Sequence, residues 1–199
     1  MTAIVVPFRG EQGKQRLETT REDRIRLSLA MLGDVVTACV ATAPTFVVTA
    51  DTAAVEFARE LGAEAVSDPG GGQSGAVEAA LAAVLDGCVL VVNADVPCVV
   101  PHDLRTLAGA AELGALGFVE ASDGTTNALA LPSPRAFAPL YGPGSAARFR
   151  AHAAATGLDA VPAAIPNLVD DVDTLADLDA ISFRAGPRTQ AAAAGIERW

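Results

Sequence analysis

The segment VLVVNADVP at residues 89–97 limits what this chain can fold into more than any other stretch. Five apolar residues, 88–92, have the length and Val content of a strand buried on both faces. The run stops at Asn93-Ala94-Asp95, with Pro97 behind it, so the strand delivers a carboxylate to a loop. In open α/β sheets ligands collect outside the carboxyl ends of the strands, which makes Asp95 a candidate for contact with substrate or metal. Capping of the following turn is the competing role.

The rest of the chain supplies the partners such a strand needs. Residues 3–7 (AIVVP), 45–50 (TFVVTA) and 63–66 read as further strands, and residues 20–41 carry apolar side chains at mostly helical spacing. Asp51-Thr52 caps a helix stopped by Gly62, an Ala-rich helix runs to Leu85, and Pro101 opens another to Leu113. Alternation of strand and helix predicts an α/β fold on a mainly parallel sheet. Residues 116–121 and 126–131 form a hairpin around Asp123-Gly124, a short helix lies near Phe137, and residues 158–162 make a late strand. Ser145 reads as the N-cap of a helix to about Ala155, whose N-terminus would hold an anion. Periodicity is lost after residue 183, so one domain at 1–183 is followed by a tail at 184–199, ordered only where it docks.

Composition removes several classes. A net charge of −10 argues against nucleic acid as a partner, because a phosphate backbone demands a basic face. No run approaches the roughly 18 apolar residues of a membrane span, and the start lacks a basic segment followed by a long apolar one. The expectation is a cytoplasmic protein. Cys39, Cys88 and Cys98 form no CxxC pair and read as reduced and structural. His102 and His152 have no partners at ligand spacing, the first reading as a surface residue and the second as packed or solvated.

Three loops carry the candidate chemistry. The connection after the first strand brings Arg9, Lys14, the only lysine, and Arg16 together with Gly10 and Gly13, a composition that suits phosphate contact; Gln15 stands where the Walker pattern needs a hydroxyl. Residues 67–75 are rich in glycine ahead of a helix, which lets backbone approach a ligand, but they lack the GxGxxG spacing of a dinucleotide site. In NLVDDVDTLADL at residues 167–178, Asp171 and Asp173 flank Val172, so an extended backbone points both carboxylates the same way. Thr174 and Asp177 open a helix through a capping box. Capping leaves Asp170, Asp171 and Asp173 unexplained, since three close carboxylates repel unless a cation joins them.

VPFRGEQGKQRL, GGGQSGAVEAAL, VVNADVP, DGTTNAL, YGPGSAARFRAHAAATG and DDVDTLADLDAI occur in the order and spacing of the CofC-type guanylyltransferases of coenzyme F-420 biosynthesis, which the chain resembles over residues 1–181. The resemblance implies a three-layer α/β/α sandwich like the molybdenum-cofactor and sugar-nucleotide transferases. It implies transfer of GMP from GTP to a phosphorylated three-carbon acid with release of pyrophosphate. For actinobacterial members, toward which the Arg-rich, Ala-rich composition leans, the resemblance implies phosphoenolpyruvate as the acid, with 2-phospho-L-lactate and 3-phospho-D-glycerate as the alternatives.

Carried onto this chain, the resemblance assigns Mg²⁺ to Asp95 with Asp171 or Asp173, and the nucleotide phosphates to Pro7, Arg9, Lys14 and Arg16, with Lys14 also catalytic. Gly72, Ser74 and Gly75 would line the base, and Thr126, Gly142 and Ser145 would hold the acceptor. The downstream lactyl-transferring enzyme is an expected partner, and a homodimer is left open. The family usually has a small residue at Asn93, Leu-Asn at Gln73-Ser74, Lys at Arg9 and Pro at Leu175; the second of these bears on base preference. A nucleotidyltransferase of molybdopterin or sugar-phosphate type, and a non-catalytic binder of a phosphorylated metabolite, are the other readings.

Overall fold

Ile4 and Val6 face one side of strand β1 (Thr2–Pro7) and Ala3 and Val5 the other, and all four are buried, as a strand covered by helices on both sides requires. The computed structural model describes residues 1–10, 16–84 and 86–196. β1 is an inner strand of a mixed seven-stranded sheet, paired in parallel with β2 (Thr45–Thr49) on one side and β4 (Cys88–Val92) on the other. β3 (Glu64–Ser67) closes the first edge beside β2. Beyond β4 come β6 (Thr126–Leu131), β5 (Leu116–Glu120) and β7 (Ala160–Pro162), in that order. Of these only β6 runs against its neighbours, because the hairpin at Asp123-Gly124 folds it back between β4 and β5.

The helices divide between the faces according to which side chains they cover. α1 (Arg21–Val40), α2 (Thr52–Glu60), α4 (Pro101–Glu112) and the short α6 (Pro166–Val169) pack on Ile4, Val6, Leu90, Val92, Ala128 and Ala130. α3 (Gly72–Leu81) and α5 (Ser145–Thr156) pack on Val5, Val48, Val89, Val91, Phe118 and Leu129. This is the expected α/β/α sandwich. The crossovers from β1 to β3 use one face and the crossover from β3 to β4 uses the other, so the loops after β1 and β3 part toward opposite faces and leave a cleft between them, over the end of β4.

Asp51 caps α2 by accepting from the N–H groups of Ala53 and Ala54, as the sequence predicts, and Thr20 caps α1 by accepting from the N–H of Asp23. Three expectations change. α3 begins at Gly72 and ends at Leu81, so Gln73-Ser74-Gly75 form its first turn rather than loop; Leu85, the predicted end, lies outside the described residues. The short helix expected near Phe137 is a single 3-10 turn, Pro134–Ala136. Gly144, not Ser145, is the N-cap of α5, because its φ of +69° is a conformation that suits glycine, and Ser145 becomes the first helical residue.

The stretch assigned as a tail docks. α7 (Leu175–Ile181) and α8 (Pro187–Ala194) join Leu27 and Met31 of α1 in a third apolar cluster with Leu17, Val172 and Ile196. Asp34, buried in α1, accepts from the N–H groups of Arg188 (3.1 Å) and Thr189 (2.8 Å), so a carboxylate on one helix satisfies the first turn of another. Among the described residues no helix is long and apolar enough to cross a membrane.

Candidate active site

The cleft outside β1 and β4 has a volume of about 450 Å³. On the β1 side it is walled by Pro7, Phe8, Arg9 and Gly10, at its base by Asn93, Ala94 and Asp95, and opposite by Gly71, Gly72, Gln73 and Ser74 at the start of α3. Gly70, Gly71 and Gly72 have φ of +87°, +85° and +76°, a run that side chains would strain, and it turns the chain from β3 into α3 within a few residues. A Cβ on Gly75 would lie 2.4 Å from the Gly70 carbonyl oxygen, so the first turn of α3 sits directly on this loop. A Cβ on Gly72 would lie 2.9 Å from Arg9 Nη2, which puts the exposed guanidinium against the glycine wall.

At the base of the cleft the carboxylates converge. Asp95, Asp171 and Asp173 each offer one oxygen, all within 4.8 Å of one another. Two features of the chain bring this about. The N–H of Val172 donates to the carbonyl of Asp95 (3.0 Å), laying residues 170–173 alongside the loop after β4, and buried Val172 leaves its two neighbours on the opposite side. Asp170 is removed from the group by Arg184, with which it forms an ion pair. Thr174 and Asp177 form the predicted capping box at the start of α7 and anchor the far end of the segment.

The electrostatic cost falls on Asp171. Partial burial, followed by the charge of Asp95, raises its pKa from the usual carboxylate range to about 6, against a hydrogen bond from Asn127 that lowers it. Asn127 Nδ2 donates to Asp171 Oδ1 at 3.1 Å and to the Val169 carbonyl at 3.0 Å. The donor set fits a hard cation: three close carboxylates, of which Asp95 lines a cleft that also has room for phosphate oxygens.

Of the other predicted residues, Gly142 lines the cleft, and Arg16 reaches Asp173 at 3.4 Å. Thr126 and Ser145 come together but face each other, the buried Ser145 hydroxyl donating to Thr126 Oγ1 at 3.0 Å. The backbone N–H groups of Ser145 and Ala146 donate to the carbonyls of Gly142 and Gly124, which locks the start of α5 to the hairpin. Lys14 lies outside the described residues. His102 is exposed on α4, and His152 Nε2 lies 3.2 Å from the Ala136 carbonyl oxygen, so neither belongs to the site.

The sequence reading missed Asn127, Tyr141 and Ser28. The last two line the cleft with buried hydroxyls that have no hydrogen-bond partner among the described residues. Burial pushes the Tyr141 phenol up, keeping it a proton donor. One signal was visible for Asn127, an amide inside the otherwise apolar run 127–131.

A parallel sheet interrupted by one reversed strand, with a cleft at the β1–β4 boundary and acidic side chains at its base, defines a nucleotidyltransferase fold. A nucleotidyl transferase from Methanothermobacter superposes with a TM-score of 0.69 at 19% identity, covering 91% of this chain and 95% of that one. A 4-diphosphocytidyl-2C-methyl-D-erythritol synthase gives 0.62 at 15% identity, covering 90% and 95%. Within that class the chain belongs to the family of CofC-like guanylyl transferases, whose model matches residues 2–190. A phosphoenolpyruvate guanylyltransferase of Nocardia farcinica is 36% identical over 204 residues, spanning 95% of this chain and 88% of the relative. One of Streptomyces scabiei is 38% identical over 210 residues, spanning 97% and 96%. The chain is an enzyme of the guanylyltransferase type.

Proposed function

We propose that the chain transfers GMP from GTP to the phosphate of phosphoenolpyruvate, releasing pyrophosphate, with Mg²⁺ at Asp95, Asp171 and Asp173. The observation that carries this reading is the convergence of the three carboxylates at the base of the cleft in a chain whose relatives bear that name. An oxygen of the acceptor's phosphate forms a bond to the α-phosphorus while the bond from that phosphorus to the β-bridging oxygen breaks, and pyrophosphate leaves. The attacking oxygen is already anionic at neutral pH, so no side chain has to remove a proton. Two polyanions must instead be aligned and their repulsion offset.

Arg9, with Lys14 and Arg16 of the same connection, supplies positive charge over the phosphates, and the backbone at the start of α3 closes on the base. Thr126, Gly142 and Ser145 form the acceptor side, with Gly142 lining the cleft and the Ser145 hydroxyl bonded to Thr126 in the buried layer behind it. When bound, Mg²⁺ would neutralise charge that builds on the phosphate oxygens. The enzyme's place in coenzyme F-420 biosynthesis, and hand-over of the product to a lactyl-transferring enzyme, belong to the same proposal.

The test is pyrophosphate release from GTP and Mg²⁺ with phosphoenolpyruvate, 2-phospho-L-lactate or 3-phosphoglycerate, each with and without the next enzyme. Release with phosphoenolpyruvate alone is expected. Release only with another acid would replace the acceptor, and release with none from folded, GTP-binding protein would overturn the reaction.

A further inference from the structure

Three side-chain amides form a continuous chain from the cleft wall to the acidic group. Gln73 Nε2, on the first turn of α3, donates to Asn93 Oδ1 at 2.6 Å. Asn93 Nδ2 donates to Asn127 Oδ1 and to the Thr126 carbonyl, both at 3.3 Å, and Asn127 Nδ2 donates to Asp171. The backbone runs in parallel, with Asn93 N–H donating to the Asn127 carbonyl at 2.9 Å.

The sense of this chain is set by its acceptors. The Val169 carbonyl and an ionised Asp171 can only accept, so the nitrogen of Asn127 must face them and its oxygen must face Asn93. Asn93 must then present its nitrogen to Asn127, a choice reinforced by the Thr126 carbonyl, and its oxygen to Gln73. Each amide thus fixes the orientation of the next. Asn127 is 1% exposed, and both protons of its amide and its oxygen are engaged.

Resting on the metal assignment above, we propose that Asn127 is a positioning residue that holds Asp171 toward the cation, and that Asn93 and Gln73 extend it into a rail linking the α3 wall of the cleft to the metal carboxylates. The rail joins elements from different layers: α3 on one face, the ends of β4 and β6 in the sheet, and the segment before α7. Partners of metal ligands set the ligand's direction, and their loss commonly costs ten- to a hundredfold in affinity.

The experiment measures Mn²⁺ binding to the full chain by loss of the free-ion EPR signal, in the absence of substrates, for the parent, Asn127→Leu, Asn93→Ala, Asp171→Asn and the Asn127→Leu/Asp171→Asn double variant. Metal-free GTP affinity is measured alongside. Asn127→Leu is expected to weaken Mn²⁺ about tenfold or more and to leave metal-free GTP binding unchanged, and Asn93→Ala to weaken Mn²⁺ by less. In the Asp171→Asn background Asn127→Leu should cost nothing further, because its effect passes through Asp171. A folded Asn127→Leu variant that binds Mn²⁺ as the parent does, or one whose loss persists undiminished without Asp171, overturns the proposal. Should Asn127→Leu fail to fold, Asn93→Ala decides in the same way. A parent that binds no Mn²⁺, or an Asp171→Asn variant that binds it equally well, would sink the metal assignment itself, an outcome distinct from failure of the rail alone.

Discussion

Asp171 holds an ionisable group at a place that disfavours its charge. Its pKa in the folded chain, about 6, lies above the ordinary carboxylate value, so the metal-free protein binds an extra proton that the unfolded chain releases. Stability from this source is fully present below the unfolded pKa and is lost as pH rises through about 6. With allowance for partial exposure the loss is on the order of 1–2 kcal/mol. Urea unfolding of metal-free protein should show Asp171→Asn more stable than the parent at pH 8 by about that amount and equal to it at pH 4. A parent curve flat across this window would remove the strain from the account. Asp95→Asn, which relieves repulsion on Asp171, should melt no lower than the parent and lower turnover at least a hundredfold, since the carboxylate serves charge stabilisation of a kind worth on the order of 10²–10³ in rate; pyrophosphate release measures it. At this scale Asp95, Asp171 and Asp173 were legible because strand ends and two-residue alternation are local rules. Asn127 was not, since its importance depends on a partner 44 residues away. Ser145 misled for a local reason: the residue before it is a glycine in the left-handed region, which takes the cap.

Helix α8 shows how an element can be invisible until its partner is known. PRTQAAAA has no apolar stripe of its own, and its docking depends on Asp34 and on Gly186, where a Cβ would sit 2.3 Å from the Asp34 carboxylate carbon. Asp34→Ala leaves two buried-end N–H groups without their acceptor and should cost about 1–3 kcal/mol. Gly186→Ala should loosen the same contact from the other side. Hydrogen exchange over residues 187–194 is the measurement, with faster exchange confined to α8 and its seat on α1 as the expected outcome. Unchanged protection in both variants would mean the apolar cluster with Leu27 and Met31 suffices. Helix α1 was readable from the spacing of its apolar residues, and α2 and α4 because a capping residue and a proline mark their starts. The start of α3 was misplaced because its first turn is built from residues that also suit a loop.

The whole molecule carries a net charge of −10 and gathers three carboxylates where a polyanion is proposed to bind. Nucleotide binding should therefore depend on a divalent cation. GTP at a hundred times its dissociation constant, with Mg²⁺, should stabilise the fold by about 2.7 kcal/mol, or roughly 5–10 °C in melting temperature for a chain of this size. CTP with Mg²⁺, or GTP with chelator, should give clearly smaller shifts; equal shifts for GTP and CTP would count against guanine preference. Alternating strand and helix patterns announced an α/β fold on a mainly parallel sheet, and the three-layer sandwich came from the family resemblance. The strand order was beyond them, since nothing local says that β6 inserts between β4 and β5.

That insertion has a consequence for how the enzyme could be re-engineered. Because β6 runs backwards, its beginning lies where β4 ends, and the chain that follows returns to the same rim at the start of α5. Thr126, Gly142 and Ser145 therefore fall within one uninterrupted stretch, residues 121–146, while the base-facing residues and the cation-bearing connection lie earlier in the chain. On the proposed assignment the two specificities lie on separate stretches of chain. Transplanting residues 121–146 from a relative with a different acceptor should carry acceptor preference across and leave nucleotide preference behind, which competition assays between paired acids and paired nucleotides would read directly.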